Sequence, residues 1–234
     1  MEKNQAVRYA ETQKLNYNTL MEKTIASLNG KKAPLLLHAC CGPCSTACIE
    51  RVAQFFDVTV YFYNPNIQPA GEYEKRKDTI FTFAADFNAR TQQNIKIIEE
   101  TYDVSDYDKA VRIDENPELA FEKEKGERCR RCYEFRMKKT FDFAASHGFD
   151  FFATTLTLSP YKDSEKVNEI GRLLDENALA GGGKTRYLYT DFKKKNGYLR
   201  STKLSEEYGL YRQNYCGCRY GLANQIAAEK NYKS

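Results

Sequence analysis

Tryptophan is absent from this chain, histidine occurs twice and methionine three times. With two histidines, a metal site built on imidazoles is short of ligands. No Ser-His-Asp arrangement can be read. No P-loop and no GxGxxG string occurs, so neither of the common glycine-rich phosphate cradles is present. No apolar run approaches the roughly 18 residues of a membrane span. The first thirty residues, MEKNQAVRYAETQKLNYNTLMEKTIASLNG, lack the apolar core and cleavage pattern of a secretory signal. The expectation is a cytoplasmic protein with no membrane partner. Repeats and low-complexity segments are also missing.

Cysteine is what the chain has instead. Eight are present among 234 residues, in three groups: Cys40, Cys41, Cys44 and Cys48; Cys129 and Cys132; Cys216 and Cys218. A disulfide framework is not expected in a reducing compartment and is unnecessary at this size, because 41% hydrophobic residues can fill a real core. Paired spacings point instead to metal or redox chemistry.

The first group closes the stretch Leu35-Leu36-Leu37-His38-Ala39-Cys40-Cys41-Gly42-Pro43-Cys44-Ser45. Its apolar run is too short for a helix and right for a buried strand. Gly42 and Pro43 end it, and a helical pattern follows through Cys44, Ala47, Cys48, Val52, Phe55 and Phe56. The thiols therefore sit at a strand-to-helix turn, the edge where open α/β sheets bind ligands. A helix start favours thiolates there. Cys48, on the apolar face of that helix, reads as a core residue. So does His38, while His147 beside Gly148 reads as a helix C-terminal cap.

The remaining strands are Val58–Tyr63, Ile95–Ile98, Phe151–Leu156 and Tyr187–Tyr189, with helices over about 72–88, 129–147 and from 163 on. Residues 103–128 read as short helices and a loop, and residues from 193 on as irregular or helical. Strands alternating with helices predict an α/β fold, a doubly wound parallel sheet of order 3-2-1-4-5. The expected organisation is a helical arm over 1–30, an α/β metal- and substrate-binding domain over 31–192, and a basic, Cys-containing extension over 193–234 packed on the same domain. The segment after Ala153 should face the thiol turn across the switch point between the first and fourth strands.

Cys41-Gly42-Pro43-Cys44 matches the string of a CGPC thiol–disulfide oxidoreductase. The extra thiol Cys40, the missing tryptophan and two further cysteine pairs argue against that reading. Cys129 and Cys132 are spaced i, i+3 on one helix face, and glycine in Cys216-Gly217-Cys218 permits a tight wrap, both common in metal sites. Structural zinc closes with four ligands, and an iron–sulfur cluster also takes up to four cysteines from distant segments. Seven convergent thiols exceed either need, so a second metal or a redox-active pair is expected beside the first.

The net charge is only +4, but residues 123–139 hold eight basic side chains against three acids. A second basic region includes Lys193, Lys194, Lys195, Arg200, Lys203 and Arg212, interleaved with Tyr198, Tyr208, Tyr211 and Tyr215. Basic residues mixed with aromatics suit a phosphate backbone with stacked bases. Arg131, Lys193, Lys194 and Lys195 are therefore expected to hold RNA near the second and third thiol groups. Asn64 and Asn66 end the second strand, and Thr155, Thr157, Ser159, Tyr161 and Lys162 end the fourth. These are candidates for binding a polar substrate, with Tyr161 or Lys162 as proton donor.

The strings HACCGPCST, FYNPNI, ERCRRCYEFRM, TTLTLSPYKDS and YTDFKKKNGYLRSTKLSEEYGLYRQNYCGC together resemble the cobalamin-independent epoxyqueuosine reductase family (QueH), from about Leu35 to Cys218. The resemblance implies an adenine nucleotide α-hydrolase-like (Rossmann-like) sheet and reduction of epoxyqueuosine to queuosine at the wobble position of tRNA. It implies a 4Fe–4S cluster, with Cys40, Cys41, Cys44, Cys129, Cys132, Cys216 and Cys218 as metal and redox thiols. A second mononuclear metal, iron or zinc, and an external electron donor such as a ferredoxin or flavodoxin complete the expectation. Competing readings are a zinc-stabilised RNA-binding protein and an ATP-dependent tRNA-modifying enzyme. The latter wants a glycine- and serine-rich loop where this chain has cysteines.

Overall fold

In the computed structural model, residues 15–233 are described. The first half of the expected arm, residues 1–14, lies outside the described residues. The arm's remainder is helix α1 (Tyr17–Ser27), capped by the Asn16 side chain, with Met21 buried against the core. β1 (Ala33–His38) follows, then α2 (Gly42–Val52), β2 (Phe56–Phe62), α3 (Ala70–Thr91), β3 (Lys96–Glu99) and α4 (Val104–Val111). After a 3-10 turn at Pro117–Phe121 come α5 (Glu127–Ser146), β4 (Phe151–Thr154), a second 3-10 turn (Thr155–Leu158), α6 (Ser164–Ala180) and β5 (Arg186–Tyr187). The extension forms α7 (Gly197–Glu207) and α8 (Arg219–Lys233).

The five strands are all parallel, in the order β3-β2-β1-β4-β5. This is the predicted order, and it puts β1 at the centre with His38 opposite Thr154 of β4. Leu35 and Leu37 pack with Ile49, Val52, Ile80, Phe83 and Leu204 on the face covered by α2, α3 and α7. Leu36 packs with Tyr133, Met137, Val167 and Ile170 on the face covered by α5 and α6. Burial on both faces is why β1 reads as a continuous apolar run rather than an alternating one. His38 is fully buried, with Nδ1 2.9 Å from Thr154 Oγ1 and Nε2 3.2 Å from the Tyr63 carbonyl. Burial, and then the Arg136 guanidinium, hold its pKa down at about 3, so the ring is neutral.

Several boundaries differ from the sequence reading. The helix after the thiol turn stops at Val52; Phe55 is exposed and Phe56 opens β2. β4 ends at Thr154 because that hydroxyl accepts the Leu156 N–H at 3.2 Å, which bends the chain into the 3-10 turn. β5, which pairs only with β4, is correspondingly short. α5 begins at Glu127, before Cys129, because the Glu122 carboxylate accepts the N–H groups of Glu127 and Arg128 at 2.7 and 2.8 Å.

The start of α2 lies tight against α3. A Cβ on Gly42 would stand 2.5 Å from Thr79 Cγ2 and 2.9 Å from the Thr79 carbonyl oxygen. Backbone cannot yield there as a flexible side chain can. Gly42→Ala is expected to cost about 1–3 kcal/mol through overpacking, read as a lower urea midpoint; an unchanged midpoint would contradict the close approach.

Candidate metal and redox site

Three thiols meet at the carboxyl end of β1. The Sγ atoms of Cys40, Cys41 and Cys44 all lie within 4.8 Å of one another, with Cys40 and Cys41 3.9 Å apart. Cys41 is the extended residue before α2, and Pro43 opens the first turn. Cys40 and Cys41 are buried and Cys44 half-buried. Gln213, from the strap between α7 and α8, donates its Nε2 to Cys41 Sγ at 2.9 Å and lies 3.8 Å from Cys44 Sγ.

The helix start does not lower all three thiols, as its dipole alone would predict. Hydrogen bonds from Cys41 and Cys44 pull Cys40 well below an ordinary thiol. Burial, and then the Cys40 thiol, push Cys41 well above, and Cys44 is raised chiefly by its hydrogen bond to Cys40. Desolvation and like charge outweigh half a unit of dipole charge. The cluster thus holds one thiolate readily and three only if a cation shares the charge.

A second group gathers four more thiols. Cys129 and Cys132 come from the first turns of α5, and Cys216 and Cys218 from the strap. They line a small cavity, about 20 Å³, together with Asn66, Tyr107, Arg128, Tyr133, Arg136 and Lys162. Burial raises Cys129 and Cys132. Cys218 is pulled down to about 7, first by its hydrogen bond with Cys216 and also by the Tyr107 hydroxyl, which donates to its Sγ at 3.1 Å. Cys216 is raised in exchange. Asn66 Oδ1 and Arg128 Nε are buried beside these thiols without a hydrogen-bond partner.

The strap is held by Arg76 of α3, itself 1% exposed. Its guanidinium donates to the Tyr215 and Cys216 carbonyls at 3.1 and 3.2 Å and to Glu72 Oε1 at 2.7 Å. Gly217 has φ +103°, and a Cβ there would meet Arg76 Nη1 and Ile67 Cγ1 at 2.9 Å. Cys-Gly-Cys therefore needs its glycine for both backbone and space.

Between the two thiol groups lies a cavity of about 270 Å³. Cys40 and Cys44 line it on one side, Cys216 on another, and Ser159, Tyr161 and Lys162 from the segment after β4 on a third. Lys162 and Cys216 also line the four-thiol cavity. Burial works against the Lys162 charge, but Cys216, Tyr133 and Cys40 outweigh it and hold the amine protonated.

The other predicted residues are placed as follows. Asn64 braces the thiol turn: its Nδ2 donates to the Ala39 carbonyl at 2.7 Å, and its Oδ1 accepts from Arg136 at 3.4 Å. Thr155 and Thr157 are fully buried, and Thr157 Oγ1 pairs with Thr190 Oγ1 at 2.8 Å rather than facing the cavity. Arg131 bonds to Glu127, Asn116 and the Val111 carbonyl and lines neither thiol cavity. Lys193, Lys194 and Lys195 also line neither. Lys193 reaches the Thr157 carbonyl and Asp191, Lys195 pairs with Glu22 of α1, and Lys194 lies with Lys195 on the groove between α1, α2 and α7. Their nearness to Cys216 in sequence does not carry into space, because α7 intervenes.

Sequence reasoning missed Gln213, Arg76, Tyr107 and Arg136. Gln213 stood in the long C-terminal block, but nothing in its spacing marks a bond to a thiol far upstream. Tyr107 lay in a stretch without clear periodicity.

The family model "Epoxyqueuosine reductase QueH" matches residues 35–224. Relatives bearing that name include one from Streptococcus pyogenes serotype M1, 41% identical over 91% of this chain and 80% of its own length. One from Staphylococcus epidermidis is 37% identical over 96% of this chain and 92% of its own. One from Thermotoga maritima is 34% identical over 80% of this chain and 90% of its own.

Cys48 stands apart from both groups. It is fully buried in the main core, and its thiol donates to the Cys44 carbonyl at 3.1 Å. Cys48→Ala should therefore leave the metal content of the purified protein at the parent value while costing about 1 kcal/mol of stability. Loss of metal in that variant would place Cys48 in the site.

Proposed function

The chain belongs to the epoxyqueuosine reductase QueH family, and from that premise we propose that it reduces epoxyqueuosine to queuosine at the wobble position of tRNA. The observation that carries the reading is the pair of thiol groups sharing Lys162 and Cys216 across one cavity. Converting an epoxide to an alkene takes two electrons and two protons and releases the oxygen as water. The electrons come from outside, from a one-electron carrier of the ferredoxin or flavodoxin class. We read the sheet as adenine nucleotide α-hydrolase-like; its order and the site at the β1–β4 switch point support that.

The donor sets fit two metal groups. Cys129, Cys132, Cys216 and Cys218 are the four soft ligands that a 4Fe–4S cluster takes, drawn from two distant segments. At about 20 Å³ their cavity is water-sized, so the thiols must swing outward to admit it. Cys40, Cys41 and Cys44 would hold a mononuclear iron or zinc ion, and three protein ligands are the number that catalytic sites use. Bound there, the cluster would supply electrons singly and the ion would polarise the epoxide oxygen.

The chain's own residues do the rest. Lys162, protonated and lining both cavities, donates a proton to the departing oxygen. We assign that task to Lys162 rather than to Tyr161, which is 66% exposed on the rim of the same cavity. Gln213 fixes the Cys41 and Cys44 sulfurs, and Asn64 holds the turn that carries them. Asn66, Tyr107 and Arg128 offer polar groups to the four-thiol cavity, where hydrogen bonds to sulfur set reduction potential.

Two outcomes follow. Anaerobically purified protein should be brown, with iron and acid-labile sulfide; one equivalent of zinc and no iron after anaerobic reconstitution would instead support a zinc-stabilised RNA-binding protein. Lys162→Gln should slow single-turnover reduction about a hundredfold, followed by nucleoside analysis of the tRNA, with the cluster spectrum unchanged. Parent-like rates in that variant would remove Lys162 from the proton path.

A further inference from the structure

At about 270 Å³, the cavity between the thiol groups is near the lower end of ordinary ligand sites, which span roughly 300–1,000 Å³. One base with its substituent fills such a space. The adjoining nucleotides must remain outside, so the target base has to leave its stack. Extrusion costs least from an unpaired loop, where no base pair is lost. It still strips a stacking neighbour from each flanking base.

The mouth of the cavity carries two aromatic side chains that the fold does not use. Tyr161, from the segment after β4, is 66% exposed, and Tyr198, in the first turn of α7, is 39% exposed. Neither side chain makes a hydrogen bond or a ring contact to another described residue. A lone exposed tyrosine needs no explanation. Two unpartnered rings from separate elements on one small rim are the arrangement by which proteins stack single-stranded bases. Arg212 completes the rim as a cation, bonded within the protein to Ser205 Oγ at 3.1 Å and exposed beyond it. Lys194 and Lys195 lie on a different groove, and Lys193 is turned to the Thr157 carbonyl and Asp191, so none of the three lines this mouth.

Building on the tRNA reductase reading above, we propose that the cavity admits the modified base alone, extruded from an unpaired loop, and that Tyr161 and Tyr198 stack on the nucleotides flanking it. The rings replace the stacking that extrusion removes. Recognition of the loop is then aromatic at the rim and chemical only inside.

Fluorescence anisotropy with two anticodon stem-loop RNAs tests this, one carrying epoxyqueuosine and one carrying guanosine at the wobble position. Tyr161→Ala and Tyr198→Ala should each weaken binding of both RNAs by the same factor, about tenfold. Tyr161→Phe and Tyr198→Phe should stay within about twofold of the parent, since the ring and not the hydroxyl stacks. Circular dichroism and cluster absorbance should not change. Parent-like binding in both alanine variants overturns the proposal, and so does a phenylalanine variant as weak as its alanine counterpart. If the parent reduces tRNA while the alanine variants bind normally, stacking alone fails. If the parent neither binds nor reduces tRNA, the reductase reading fails and takes the proposal with it.

Discussion

A thiolate buried beside other thiols is unstable unless positive charge or a hydrogen bond shares its burden, and that constraint organises the carboxyl edge of this sheet. In each of the two thiol groups one sulfur is lowered and its neighbours are raised: Cys40 against Cys41 and Cys44, Cys218 against Cys216. The surroundings answer the same need. Arg76 and Arg136 are almost wholly buried near the thiols, and Lys162 reaches both cavities. Arg76 has the Glu72 carboxylate as well as sulfur to face, and cations buried this deeply would be costly without such anionic partners. The sulfur and the cations thus favour one another, and a metal bound as proposed would complete the balance.

The scaffold delivers these groups from distant parts of the chain. β1 and its turn supply three thiols, the start of α5 two, and the strap after α7 two more. The strap is the weakest covalent argument and the strongest structural one: Arg76 clamps two of its carbonyls, and Gly217 lets it pass against that same guanidinium. That clamp fixes the backbone that brings the third cysteine pair beside the second. Function here depends on a hydrogen-bonded crossing of α3 and the strap as much as on the sheet.

Much of this was legible in the sequence. The apolar run at 35–37, the Gly-Pro break and the β-branched segment at 58–60 gave the strands and their order, because central parallel strands are buried on both faces. Paired cysteines pointed to the sheet edge where the structure brings seven thiols together. The family resemblance added the reaction. What was not legible depended on contacts between distant residues: the Gln213 bond to Cys41, the Glu122 cap on α5, and the reach of Arg76. The lysine block at 193–195 shows the limit most clearly. Its chain proximity to Cys216 suggested a rim, yet Lys194 and Lys195 lie on the groove beside α1 and Lys193 on the Thr157 carbonyl, none of them on the thiol cavities.

The central claim is that the seven thiols form two separable centres, four in the cavity between α5 and the strap and three at the turn after β1. Metal and sulfide analysis of Cys132→Ser and Cys41→Ser, purified anaerobically side by side, tests it most directly. Cys132→Ser should lose acid-labile sulfide and brown absorbance. Cys41→Ser should keep both and lose only the metal in excess of the cluster. If each variant loses everything together, or if Cys41→Ser alone destroys the sulfide-containing centre, the division drawn here is wrong.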